Sequence, residues 1–78
     1  MGEARTDSTE LTAEELARML RKEIRTYRPG SKLPGRRALA EQFGVTPHLI
    51  RKAINLLADR GAVRIRPREG VQVVQRGP

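Results

Sequence analysis

The sequence predicts a mainly α domain with a small β-hairpin: three helices followed by a two-stranded antiparallel ribbon. Three observations carry this. Two helix-start signatures, Thr12 with Glu15 and Thr46 with Pro47, each precede an apolar stripe at helical spacing. Gly44 closes one helix just before the second signature opens the next. After Gly61 the apolar period drops from helical to two.

Residues 1–10 combine charge, Ser, Thr and Gly with almost no apolar side chain, which predicts a disordered N-terminal tail. The first helix follows. Thr12 is an N-cap residue, Glu15 completes the capping box, and Leu11 and Leu16 occupy the staple positions around it. The helix is expected to run to about Tyr27, ahead of Pro29-Gly30. Leu16, Met19, Leu20, Ile24 and Tyr27 form its apolar stripe. Arg18, Arg21, Lys22 and Arg25 form the opposite one, read as a solvated face with a secondary phosphate contact as the alternative.

Residues 28–35, RPGSKLPG, are read as a loop whose Leu33 plugs into the core. A short second helix, from about Arg36 to Phe43, places Leu39, Ala40 and Phe43 inward. Gly44 suits the left-handed position that ends it. The third helix then starts at once, with Thr46 as N-cap and Pro47 at its first position, and is expected over residues 47–60. Two helices joined by so short a turn read as helix-turn-helix. In AVRIR, Val63 and Ile65 alternate with Arg64 and Arg66; PREG is a turn, and VQVV is the returning strand. The whole is a winged helix-turn-helix over residues 11–75, with the wing at 62–74 and a C-terminal tail or linker start at 76–78.

At 78 residues the chain holds one small domain, which buries roughly 60% of the surface that its unfolded form exposes. With no cysteine, disulfides, thiolate metal sites and cysteine nucleophiles are excluded. No apolar run approaches the roughly 20 residues of a membrane span, and the polar N-terminus is unlike a secretory signal, so a cytoplasmic protein is expected. Paired-carboxylate, metal-spaced and glycine-rich phosphate-loop motifs are lacking, so neither catalysis nor a cofactor is expected.

Charge points to the partner. Sixteen Lys and Arg against nine Asp and Glu leave a formal +7, and most of the cations are arginine, whose forked donors suit phosphates and guanine edges. On the third helix Ile50, Ala53, Ile54 and Leu57 share one side, while His48, Arg51, Lys52 and Asn55 share the other. A capped helix with an outward row of donors fits the major groove of B-DNA, about 12 Å wide. An ordinary amphipathic helix with a solvated polar face is the plainer alternative. His48 stands alone as a histidine, so it suits a hydrogen-bond donor better than a metal ligand. Leu49 and Leu56 flank the helix and are assigned to intramolecular packing, with a dimer contact as the alternative. Arg66, Arg68 and Gly70 stand at the wing tip, which can enter the minor groove or lie along phosphates. Glu69 beside them works against a phosphate contact. With one Phe and one Tyr, the chain lacks the aromatic platforms that stack unpaired RNA bases. The candidate DNA contacts are thus Arg36, Arg37, Thr46, Pro47, His48, Arg51, Lys52, Asn55, Arg66, Arg68 and Gly70. A protein–protein module using the basic face of the first helix is the competing function.

The stretch PGSKLPGRRALAEQFGVTPHLIRKAINLLADRGAVRIRPREGVQVV resembles the DNA-binding domain of GntR-type bacterial transcription regulators, and the resemblance spans residues 12–74. PGxxLP, LAxxxGV and RxAxxxLxxxG together carry it. The resemblance implies a winged helix-turn-helix, binding to double-stranded DNA as a homodimer on a palindromic operator, and repression. It also implies that Arg37 contacts DNA, that Thr46 both caps the recognition helix and touches phosphate, that Arg51 contacts the site, and that Gly70 approaches the minor groove. This sequence departs from the pattern in several places. Pro47 replaces a base-reading arginine, His48 and Leu49 replace two threonines, Gly35 replaces a capping serine, and Arg68 replaces the first glycine of the wing turn. The binding mode is therefore better founded than any operator sequence. Regulators of this type carry a C-terminal effector and dimerisation domain, expected to be absent from a chain that ends at QRGP.

Overall fold

The computed structural model describes residues 11–74; the expected tails at 1–10 and 76–78 lie outside the described residues. Within that span stand α1 (Ala13–Ile24), α2 (Arg36–Phe43), α3 (Pro47–Asp59), β1 (Val63–Arg66) and β2 (Gly70–Val73). The fold is the expected one of three helices and a two-stranded antiparallel wing.

Local chemistry sets most boundaries. At the start of α1, Thr12 Oγ1 accepts from the Glu15 N–H and Glu15 Oε1 accepts from the Thr12 N–H, both at 3.1 Å, so two orphan donors are satisfied reciprocally. The helix ends at Ile24 rather than Tyr27. Its exit tightens into three-residue turns, with the Thr26 N–H on Glu23 O (3.0 Å) and the Tyr27 N–H on Ile24 O (2.9 Å). The Thr26 hydroxyl also donates to Glu23 O at 2.7 Å, offering that carbonyl a non-helical partner. Helix α3 likewise stops one residue short of the expected end, with Arg60 as its cap and Gly61 beyond it at φ 81°.

Leu16, Leu20, Leu39, Ile50 and Leu57 are fully buried where α1, α2, α3 and the foot of the wing meet. Leu49 and Leu56 pack partly buried against this core, which supports the intramolecular assignment. Met19 departs from the expected stripe and is 41% exposed. Helical spacing puts it at the margin of the α1 apolar arc.

The ribbon pairs Val63 with Val73, Arg64 with Gln72, Ile65 with Val71 and Arg66 with Gly70. It is slightly shorter at its foot than expected, since Ala62 and Val74 fall outside the strands, although Val74 N–H still donates to Ala62 O (3.1 Å). Residues 28–35 are more ordered than a loop. Lys32 forms an antiparallel bridge with Gln72, the Leu33 N–H donates to Val71 O and the Val73 N–H donates to Ser31 O, each at 2.8 Å. This segment covers the free edge of β2, which would otherwise present unpaired backbone groups. Leu33 is buried, as expected.

Candidate nucleic-acid interface

Three residues separate α2 from α3. Gly44 takes φ 70°, a left-handed conformation that costs an L side chain roughly 1–2 kcal/mol and glycine almost nothing. Val45 tucks against the core. Thr46 then caps α3, its Oγ1 accepting from the Leu49 N–H at 3.2 Å, with Pro47 in the first turn. Neither α2 nor α3 carries an acidic residue in its first turn, so the positive ends of both helices stand without a carboxylate beside them. At α2 the effect is greater, because Gly35 supplies no side-chain cap.

Helix α3 separates its faces as expected. Ile50, Ala53, Ile54 and Leu57 are buried, and His48, Arg51, Lys52 and Asn55 are exposed. Thr46, Pro47, Arg36 and Arg37 are exposed as well.

A cleft of about 560 Å³ runs between the start of α2, the outer side of α3 and the wing. It brings together six of the candidate contacts: Arg36, Arg51, Asn55, Arg66, Arg68 and Gly70. Arg37, Thr46, Pro47, His48 and Lys52 lie outside it. The cleft joins four guanidinium-bearing residues from three chain segments, an arrangement that attracts a polyanion.

Its apolar lining was not foreseen. Ile65, expected on one face of the strand with Val63, is 46% exposed and borders the cleft with Ile54 and Val71. Alternation along the strand does put Val63 and Ile65 on one side. The ribbon, however, runs outward past the core, so that side faces open space by residue 65.

At the tip, the Glu69 N–H donates to Arg66 O at 3.0 Å, closing a four-residue turn with Pro67 second and Arg68 third. Arg68 has φ 69°, in the left-handed region that the third position of a type II turn demands and that glycine usually fills. Holding an arginine there costs roughly 1–2 kcal/mol. The Arg66 Nε lies 3.1 Å from Glu69 Oε1, so Glu69 faces its neighbour within the turn. Both groups are about half exposed, and such a pair contributes about 1 kcal/mol or less. Gly70 follows at φ 98°.

On the other side of the molecule, Arg18, Lys22 and Arg25 are exposed along α1 and Arg21 is half-buried. The α1 carboxylates are engaged elsewhere, Glu14 with Arg60, Glu15 in the capping box and Glu23 accepting from Gln42 Nε2 at 3.5 Å. Among the described residues, no helix is long and apolar enough to cross a membrane, and no group of three His, Cys, Asp or Glu could hold a metal ion.

Comparison with known proteins agrees with this fold. The family model described as "Bacterial regulatory proteins, gntR family" matches residues 12–73. Over 63 residues the chain is 46% identical to "Uncharacterized HTH-type transcriptional regulator YieP" of Escherichia coli (strain K12), covering 80% of this chain and 26% of that protein. It is 41% identical over 64 residues to "Probable transcriptional regulator PhnF" of the same organism, covering 81% and 27%. The chain thus spans about a quarter of the length of these curated relatives. Among solved structures, a GntR family transcriptional regulator from Listeria monocytogenes superposes with a TM-score of 0.74 at 24% identity, over 82% of this chain and 58% of that one, and shows the shared fold. A structure described as mutant ORR3 in complex with the NTD of AraR superposes with a TM-score of 0.64 at 31% identity, over 74% of this chain and 91% of that one.

Proposed function

The chain belongs to the GntR family of bacterial regulatory proteins, and from that premise we propose that it binds double-stranded DNA sequence-specifically and represses transcription, with α3 in the major groove and the wing on the minor groove or backbone. The observation that carries this reading is the cleft described above, where the outward face of α3 meets the start of α2 and the wing tip. His48, Arg51 and Asn55 read base edges, for which their donors are suited. Arg36, Arg37 and Lys52 hold phosphates, and Thr46 and Pro47 fix the start of α3 against the backbone. Arg66, Arg68 and Gly70 form the wing contact. The regulator acts in the cytoplasm as a homodimer on a palindromic operator. No catalysis and no cofactor enters this reading.

Arg51→Ala tests it. The guanidinium is exposed and carries no core packing, so the variant is expected to keep the helical circular-dichroism spectrum of the parent. Its affinity for duplexes selected from a random library is expected to fall about tenfold to a hundredfold, as for loss of one base-reading arginine. An unchanged affinity would favour a second reading. In that reading the basic stripe of α1, with exposed Met19 beside it, docks an acidic protein.

A further inference from the structure

We infer that Arg68 reads minor-groove shape: its guanidinium enters a narrow minor groove beside the α3 site, so that the protein prefers operators with A·T-rich flanks. This rests on the DNA-binding reading above and goes beyond it, since that reading leaves the wing on either groove or backbone and assigns no flank.

Arg68 is the one non-glycine residue with positive φ among the described residues. A residue held in a costly backbone conformation marks a position where something else is gained. Here the turn itself gains nothing from arginine, because glycine would relax it. What arginine adds is reach and charge at the outermost point of the ribbon.

The neighbouring groups isolate that charge. Arg66 is engaged by Glu69, whereas Arg68 has no hydrogen-bond or ion-pair partner among the described residues. The same pairing turns the one carboxylate of the tip towards Arg66, which lowers its opposition to an approaching phosphate. Pro67 fixes the backbone just before Arg68, so the side chain projects from a stiff support. Gly70 adds no side-chain bulk, and a Cβ in its place would meet nothing within 4 Å.

Position decides which groove is met. Arg68 borders the same cleft as Arg51 and Asn55, so the tip and the outer face of α3 address one duplex. With α3 in a major groove, a ribbon projecting beside it meets the adjoining minor groove, about 6 Å wide. A·T-rich runs narrow that groove and deepen its negative potential. Guanidinium is less strongly hydrated than ammonium and enters it at lower cost.

The test uses the full chain and a duplex selected for tight binding, with three flanks: A·T, G·C and inosine·C. Inosine·C presents the major-groove edge of G·C but lacks the guanine amino group that fills the minor groove. Binding is expected to weaken about tenfold with G·C flanks and to recover to within about twofold with inosine·C. In Arg68→Gly the three duplexes are expected to bind within about twofold of one another, with no loss of thermal stability. Arg68→Lys keeps the charge and is expected to lose most of the discrimination. Tight binding by the parent with equal affinity for all three flanks, or full discrimination retained by Arg68→Gly, would overturn the assignment and leave DNA binding standing. Failure to select any duplex would overturn both.

Discussion

Raising salt from about 50 to about 200 mM is expected to weaken binding of one monomer to a single half-site duplex about 250- to 1,000-fold, measured by fluorescence anisotropy. The figure follows from the side chains placed around the cleft. Arg36, Arg37, Lys52, Arg66 and Arg68 are exposed and lie on α2, α3 and the wing. If each neutralises a phosphate, each monomer releases about five counterions, and log K falls against log salt with a slope of about −4 to −5. Arg51 is left out because it reads base edges in the wide major groove, whereas Arg68, in a narrow minor groove, stands between two phosphate rows and counts with the others. A slope near zero would mean that these cations are spectators. A slope unchanged on removing Arg36 and Lys52 together would place the polyanion on another face.

The second large effect concerns the platform. Leu57→Ala is expected to destabilise the domain by about 2–5 kcal/mol, the range for emptying a fully buried leucine site. Leu57 is 1% exposed and anchors α3 to the core. A domain of this size has a total stability of about 4–12 kcal/mol, so this one side chain is a large share of it. Thermal unfolding is expected roughly 8–40 °C below the parent, at about 4–8 °C per kcal/mol. DNA binding is lost with it, because the donors of α3 need the apolar side of the same helix held in place. A shift of only a few degrees would mean that α3 is anchored elsewhere.

The features legible in the sequence were those set by neighbours within four residues. Thr12 with Glu15, Gly44, and Thr46 with Pro47 are local chemistry, and each acts as its residue type dictates. The two faces of α3 follow from helical spacing alone. What escaped the reading depends on partners far along the chain. Lys32 meets Gln72 across forty residues, and nothing within 28–35 signals the pairing, which Pro29 and Pro34 bracket too closely for any alternation to show. Met19 and Ile65 show a different limit. Periodicity tells which side a residue occupies but not how far the core extends beneath it, and both stand past its edge. The cleft was hidden for both reasons, since α2, α3 and the wing meet only once the chain has folded. The conformation of Arg68 was half visible: Pro67 announces a turn, but an arginine in its third position gives no sign of a left-handed backbone.

Chemical-shift perturbation on the isotope-labelled chain, titrated with the selected duplex at low salt, tests the central claim most directly. The amides of the non-proline residues in 46–55 and 66–70 are expected to shift together and saturate at one stoichiometry, while those of residues 18–25 on the far side of the core stay in place. Shifts confined to residues 18–25, with 46–55 unmoved, would contradict the account and move the site to the outer face of α1.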